Sequence, residues 1–315
     1  LKQIINQPTA QEQGMSVLST VVKTMRPPFL LLVVSCLTLS FGFVNFLNID
    51  GSWFLFSLIV VCGLCAHIAV NMLNEYVDCT SKLDFATNRT PFSGGSGALV
   101  NQPSVAGLVK YIGIAFVLLT IVSGIMVLRH SPEAWRSLFA MGVLGVVIMV
   151  SYTPVLNRYP WLCLVAPGLG FGVLMSYGSY VAVSGSHNLT MLLLALIPTL
   201  LTNNLLLLNQ FPDAASDAEH GRNHVLIEYG YAFSARLYLA QWLLTILVVI
   251  LTVVVFSLPW YSLVCLLPML PGWRIYQQAK QFEQPDKGFV AAMGQNVMMT
   301  LATPLLLGVV LCVAG

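Results

Sequence analysis

Residues 189–217 read LTMLLLALIPTLLTNNLLLLNQFPDAASD. From Leu189 to Phe211 there is no Asp, Glu, Lys or Arg. A helix crosses a hydrocarbon core about 30 Å thick in roughly 20 residues, so this stretch is long enough to span a bilayer. Its far end, Asn209 to Asp217, then delivers two carboxylates to an interface. Working outward, the charge-free run extends over 159–212, and others cover 237–273 and 288–315. Across 315 residues the chain is 57% apolar and 8% charged, where a soluble domain carries about 25% charged residues. That composition excludes a soluble enzyme, a disordered chain and a disulfide scaffold. A net charge of +2 provides no basic stripe for nucleic acid. Solid apolar blocks, in place of alternating segments of about ten residues, exclude a β-barrel. The fold class is all-α: a polytopic membrane protein.

Prolines, glycines and polar clusters divide the apolar mass into predicted helices near 28–47, 53–77, 105–128, 136–152, 161–183, 189–211, 233–256, 260–276 and 289–313. Read as one helix, 237–273 would be about 55 Å long, far beyond the core, so two crossings are expected there, the second short or tilted. With nine crossings, the N-terminus cytoplasmic and the C-terminus outside, every Lys and Arg except Arg129 and Arg136 falls on the inner side, as cytoplasmic loops require. The expectation is one transmembrane domain over 28–315, preceded by a tail and interfacial helix over 1–27. Val17, Leu18, Val21, Val22 and Met25 share a helical face with Lys23 and Arg26 off it, the pattern of a helix lying on the membrane. Residues 1–14 read almost equally well as a frayed tail. Seven cysteines lie mostly inside apolar runs; Cys62 and Cys65, mid-helix, read as packing residues.

The acidic residues concentrate in two loops, 78–104 and 212–232. The second helix ends Asn71-Met72-Leu73-Asn74-Glu75-Tyr76-Val77-Asp78, then Cys79-Thr80-Ser81-Lys82-Leu83-Asp84. The sixth ends Asn209-Gln210-Phe211-Pro212-Asp213-Ala214-Ala215-Ser216-Asp217. Asn74 and Asp78 are four apart and share a helix face; Asn209, Asp213 and Asp217 do the same if the helix continues past Pro212. N-x-x-x-D therefore recurs after 135 residues, each time at the inner end of an even-numbered crossing. Clustered carboxylates repel, and a divalent cation removes the repulsion. Mg²⁺ binds through one or two carboxylates, with phosphate oxygens and water completing its octahedron. Asp78, Asp84, Asp213 and Asp217 are thus candidate metal ligands that would clamp a diphosphate, with Asn74 and Asn209 adding neutral oxygens. For one Asp, a solvated helix end is the simpler reading; for two matching clusters it is not.

With both motifs in view, the sequence resembles the UbiA superfamily of intramembrane aromatic prenyltransferases. The likeness rests on N74-E-Y-V-D78-C-T-S-K-L-D84 and N209-Q-F-P-D213-A-A-S-D217, with Gly221-Arg222 after the second motif. Arg26-Pro27-Pro28 before the first crossing and Ser151-Tyr152-Thr153-Pro154 after the fourth extend it. The gap between Asp78 and Asp84, with Gly94-Gly95-Ser96-Gly97 downstream, looks like the 1,4-dihydroxy-2-naphthoate (menaquinone) branch. Glu75 departs from the family, which often has Asp there, and so does His224, where a basic or small polar residue is common.

The resemblance implies transfer of an isoprenyl group from a polyprenyl diphosphate to an aromatic acceptor, in a bacterial inner membrane, with Mg²⁺ as cofactor. It places Asp78, Asp213 and Tyr152 as catalytic residues, and the four aspartates with Asn74 and Asn209 at the metal. Lys82, Arg89 and Arg222 become candidates for the diphosphate oxygens. His67, one turn before Asn71, reads either as a packed histidine or, with Asn71, as lining of an acceptor cavity. His220 and His224 could pair on a metal only if helical. The segment from Phe85 to Ser104 reads as a mobile cap over the site or as an irregular turn. A 4-hydroxybenzoate acceptor is the alternative within the family. A secondary transporter is the rival outside it, disfavoured because the acidic groups crowd one end, not the midplane. The motif of a CDP-alcohol phosphotransferase is missing.

Overall fold

The structure, a computed structural model, describes residues 16–315, and the readings for residues 1–15 lie outside it. Among the described residues every regular element is helical. The helix expected at the interface is formed as α1 (Val17–Thr24), its first turn capped by Ser16, whose hydroxyl accepts from the Ser19 amide at 3.1 Å. Arg26 then adopts a left-handed backbone (φ 52), and with Pro27 behind it separates α1 from a 3₁₀ turn and α2 (Leu31–Phe46).

Among the described residues eight helical stretches are long and apolar enough to cross a membrane, which makes the chain an integral membrane protein. After α2 come α3 (Trp53–Thr80), two single turns, α4 (Leu83–Ala86) and α5 (Ala98–Asn101), and then α6 (Ala106–His130) and α7 (Trp135–Ser151). The fifth crossing is composite: α8 (Pro160–Gly168), a π-helical stretch Leu169–Tyr177, and α9 (Gly178–Ser184). It is followed by α10 (Leu189–Glu219) and by α11 (Val225–Val254), which kinks where Gly230 turns to φ 79. The eighth predicted crossing is broken, a 3₁₀ helix Trp260–Met269 followed by α12 (Gly272–Lys280). The last is α13 (Lys287–Ala314). The main departure from expectation is α10, which passes through Pro198 and Pro212 and runs eight residues beyond Phe211 to Glu219. A proline removes one donor from the helical ladder; it need not end the helix when neighbouring helices hold the segment.

Lipid gives helices no hydrophobic reason to associate, so close backbone approach and polar bridges do it. α2 and α13 meet at Gly42 and Gly308, where a Cβ on either residue would overlap the backbone of the other helix. α10, α11 and α13 are joined by a buried polar junction. Asn204 Nδ2 donates to Tyr238 O at 3.0 Å, Gln241 Nε2 to Asn204 Oδ1 at 3.0 Å, and Tyr238 OH to Asn296 Oδ1 at 3.1 Å. This scaffold fixes the axis of α10, and with it the position of the second acidic motif. All seven cysteines are free thiols.

Candidate functional site

The two motifs, 135 residues apart in the chain, end at one place. Asn74, Asp78, Asp84, Asn209, Asp213 and Asp217 line a single cavity of about 130 Å³, together with Tyr152 and Arg222. α3 carries Asn74 and Asp78, and α10 carries Asn209, Asp213 and Asp217 one turn apart. Asp84 arrives differently: α3 stops at Thr80, Lys82 turns left-handed (φ 65), and the single turn α4 carries Asp84 back to the cavity.

Arg222 joins the two motifs. Its Nη2 donates to Asp78 Oδ1, and its Nη1 donates to Asp217 Oδ1 at 3.2 Å. Burial works against its charge, but Asp78 and Asp217 more than offset that and hold the guanidinium protonated above its ordinary range. Asp217 has a second neighbour, His224 Nε2 at 3.2 Å from Oδ2. Asp213 is held by the loop from Thr87 to Gly97: the Gly94 amide donates to its Oδ2 at 3.1 Å and Ser93 Oγ to its Oδ1 at 3.4 Å. Among the described residues Asp84 forms no salt bridge, although Arg26 and Arg89 are near enough to favour its charge. Burial, with Asp78 and Glu75 beside it, pushes its carboxyl up to about 7.

Among the described residues no three carboxylate, His or Cys side chains form a ready-made metal cluster. The oxygens nonetheless suit a hard cation. Asp84 Oδ2, Asn157 Oδ1, Asn209 Oδ1 and Gln210 Oε1 are buried without a hydrogen-bond partner, and all four residues line the cavity. Buried acceptors left unpaired cost about 1–3 kcal/mol each, a cost that a cation or its water ligands would relieve. An all-oxygen donor set with few carboxylates fits Mg²⁺, which keeps several waters and takes phosphate oxygens.

Other expected residues lie elsewhere. Lys82 is exposed and Arg89 braces the loop, donating through Nη2 to Asp84 O and through Nε to Gly94 O at 3.0 Å; neither lines the cavity. Asn71 ties α3 to the end of α1, its Nδ2 donating to Met25 O at 2.9 Å. His67 packs edge-on against Phe171 with ring centroids 4.8 Å apart, and its Nδ1 is buried without a partner. His220 and His224 form no pair: His220 Nδ1 lies 2.8 Å from Ser216 O, and His224 caps α11 in an extended conformation. The Phe85–Ser104 segment is an irregular loop followed by α5 and a 3₁₀ turn, and its residues Ser93, Gly94 and Ser96 bond to Asp213 and Glu75. Arg26, Asn157, Cys163, Gln210 and His224 also line the cavity, and no motif reading had given them that place. For Arg26 a signal was present: a lone arginine before two prolines marks a fixed break at the inner edge of a crossing.

Comparisons with known proteins agree with this arrangement. The UbiA prenyltransferase family matches residues 32–303. A 1,4-dihydroxy-2-naphthoate octaprenyltransferase of Haemophilus influenzae is 26% identical over 192 residues, 58% of this chain; the match spans 59% of that relative's length. A UbiA homolog from Archaeoglobus fulgidus bound to DMAPP and Mg²⁺ superposes with a TM-score of 0.64 at 13% identity, covering 94% of this chain and 100% of that one. The apo structure of a UbiA homolog from Aeropyrum pernix K1 gives 0.63 at 17% identity, covering 89% and 97%. At these identities the solved structures share the fold.

Proposed function

The chain belongs to the UbiA prenyltransferase family, and from that premise we propose that it transfers a polyprenyl chain from an allylic diphosphate to 1,4-dihydroxy-2-naphthoate, a step of menaquinone biosynthesis. One observation carries the reading: a single guanidinium, Arg222, bonds both acidic motifs, so two distant helix ends face one polar cavity. The acceptor follows the relative from Haemophilus influenzae, and the donor class follows solved relatives that hold DMAPP or GPP with Mg²⁺.

Asp78, Asp84, Asp213 and Asp217, with Asn74 and Asn209, are the residues that would hold Mg²⁺. Bound there, the metal supplies positive charge for the departing diphosphate. Arg222, which lines the cavity between the two motifs, takes outer diphosphate oxygens by charge-assisted hydrogen bonds. The allylic C–O bond breaks and its electron pair leaves with the diphosphate. The electron-rich ring then attacks the allylic cation, and the naphthoate carboxyl is lost as CO₂ in the overall reaction. Tyr152 offers the cavity an aromatic wall; its hydroxyl lies 3.4 Å from Cys163 O, to which it donates. The surrounding helices exclude water, which would otherwise capture the cation. The site opens toward the cytoplasm of a bacterial inner membrane, the side to which the basic loops assign it.

The test is diphosphate release by purified protein in lipid nanodiscs, given a polyprenyl diphosphate and a panel of aromatic acids. Release should require both Mg²⁺ and 1,4-dihydroxy-2-naphthoate and should stop on chelation. Prenylation of 4-hydroxybenzoate in preference would reassign the acceptor. No release with any acceptor would reject the reaction.

A further inference from the structure

Glu75 is a buried carboxylate that the proposed chemistry does not use. It follows Asn74 in the first motif, is fully buried, and does not line the cavity. Both its oxygens are committed. Oε1 accepts from Arg26 Nε at 2.8 Å and from the Ser96 amide at 2.7 Å, and Oε2 accepts from Ser96 Oγ at 2.7 Å. Arg26 Nη2 also approaches Oε1, at 2.6 Å.

Ser96 belongs to the turn whose Gly94 amide and Ser93 hydroxyl hold Asp213. Gly94, Gly95 and Gly97 all take positive φ (78, 74 and 69), a path closed to most side-chain-bearing residues. A Cβ on Gly95 would sit 2.8 Å from Asp84 Oδ1 and 3.4 Å from Arg26 Nη2. The turn therefore lies in contact with Asp84 from the first motif and Asp213 from the second. Arg89 holds it at Gly94 O, and at Ser96 it is pinned by the Glu75 carboxylate, which also binds the side chain of Arg26, a residue with left-handed backbone.

We infer that Glu75 is a positioning residue: with Arg26 it latches the 93–97 turn, and through that turn it sets Asp84 and Asp213 across the cavity from each other. Its place in the motif suggests a ligand, but its hydrogen bonds leave no oxygen facing the cavity. Glutamate, not aspartate, is needed because the shorter side chain would fall one methylene short of Ser96. The meaning assigned to Asp84 and Asp213 rests on the proposed function; the latch itself does not.

The experiment is amide hydrogen exchange over 93–97 in the full-length metal-free protein, paired with the Mg²⁺ dependence of turnover, for Glu75→Gln and Ser96→Ala. Loss of a group that orients metal ligands typically costs 10–100-fold in metal affinity. For Glu75→Gln the turn should exchange about 10-fold faster, and half-saturating Mg²⁺ should rise about 10-fold with kcat at saturating metal nearly kept. Ser96→Ala, which removes no carboxylate, should move both readouts the same way by less. A ligand role predicts the opposite split: kcat falls in Glu75→Gln even at saturating Mg²⁺, and Ser96→Ala is silent. Unchanged exchange over 93–97 in both variants overturns the latch. Since exchange needs no substrate, that result stays distinct from failure of the prenyl-transfer reading, and Ser96→Ala decides the matter if Glu75→Gln does not fold.

Discussion

At the end of α10, Asp213 and Asp217 stand one turn apart on an unbroken helix. At the end of α3 only Asp78 is helical, and Asp84 comes from a separate turn beyond a left-handed Lys82. Their counter-charges differ too. Asp78 and Asp217 share Arg222, Asp213 is held by a backbone amide and a serine hydroxyl, and Asp84 Oδ2 has no partner at all. Two motifs that match in sequence are therefore unequal in chemistry. The α10 end is one continuous helix whose two carboxylates are held, although Asn209 Oδ1 and Gln210 Oε1 beside them stay unpaired; the α3 end is assembled from loops and leaves a carboxylate oxygen open. The unpaired carboxylate oxygen offered to an entering cation is Asp84 Oδ2 on the α3 side, while α10 offers the amide oxygens of Asn209 and Gln210.

The largest effect should come from removing a carboxylate from either end. Asp78→Ala or Asp213→Ala is expected to lower turnover by roughly 10³-fold or more, since each carboxylate is proposed to hold the metal that stabilises the departing diphosphate. Folding and membrane insertion should persist, checked by size-exclusion chromatography in detergent. If both variants kept most of their activity, the two ends would not form one catalytic unit.

Next in size is Arg222→Gln, which removes the bridge while leaving every candidate ligand. Taking one partner from a buried pair strands the other charge, here Asp78 together with Asp217. The metal-free variant should melt lower than the parent, and Mg²⁺ should raise its Tm by more than it raises the parent's, because the ion then supplies the missing positive charge. An equal Mg²⁺-induced shift in both proteins would show that the guanidinium does not share this charge with a metal.

A third effect is read by pH. In the metal-free protein Asp84 titrates near 7, against about 3.9 in an unfolded chain. Between those values the folded state binds the extra proton, so this group's contribution to stability is full below about pH 4 and is lost as pH rises through 7. Metal-free Tm should therefore fall from pH 5 to pH 8, and Asp84→Asn should flatten that slope. Mg²⁺ needs the ionised form, so its stabilising effect should grow over the same interval. A slope unchanged by Asp84→Asn would place the titration on another group.

How much of this was legible beforehand follows the same division. The α10 end could be read directly, because helical periodicity alone puts Asn209, Asp213 and Asp217 on one face and needed only the helix to survive Pro212. On the α3 side periodicity reached Asn74 and Asp78 and then stopped being informative. Asp84 reaches the cavity through a left-handed residue, and Arg26 and Glu75 meet across 49 positions. Neither event leaves a periodic trace. Lys82 and Arg89 were reasonable diphosphate candidates by charge and proximity in sequence, yet one points to solvent and the other braces a loop. The Gly94-Gly95-Ser96-Gly97 run announced unusual backbone; that it serves both acidic ends is a tertiary fact.

The smallest expected effect lies outside the site and checks that the others are local. Asn204 joins α10 to α11 by donating to Tyr238 O and accepting from Gln241 Nε2. Asn204→Ala leaves both partners without it, and interhelical hydrogen bonds in membranes are worth about 0.6 kcal/mol on average. The Asn296 amide, which donates to the backbone oxygen of Asn204 at 3.2 Å, survives the substitution and limits the damage. The variant should show a small drop in Tm with half-saturating Mg²⁺ unchanged. If it shifted the Mg²⁺ requirement as much as Glu75→Gln, the register of α10 would control the cavity from a distance, and the contrast between a continuous helical end and a loop-built end would give way to a single coupled unit.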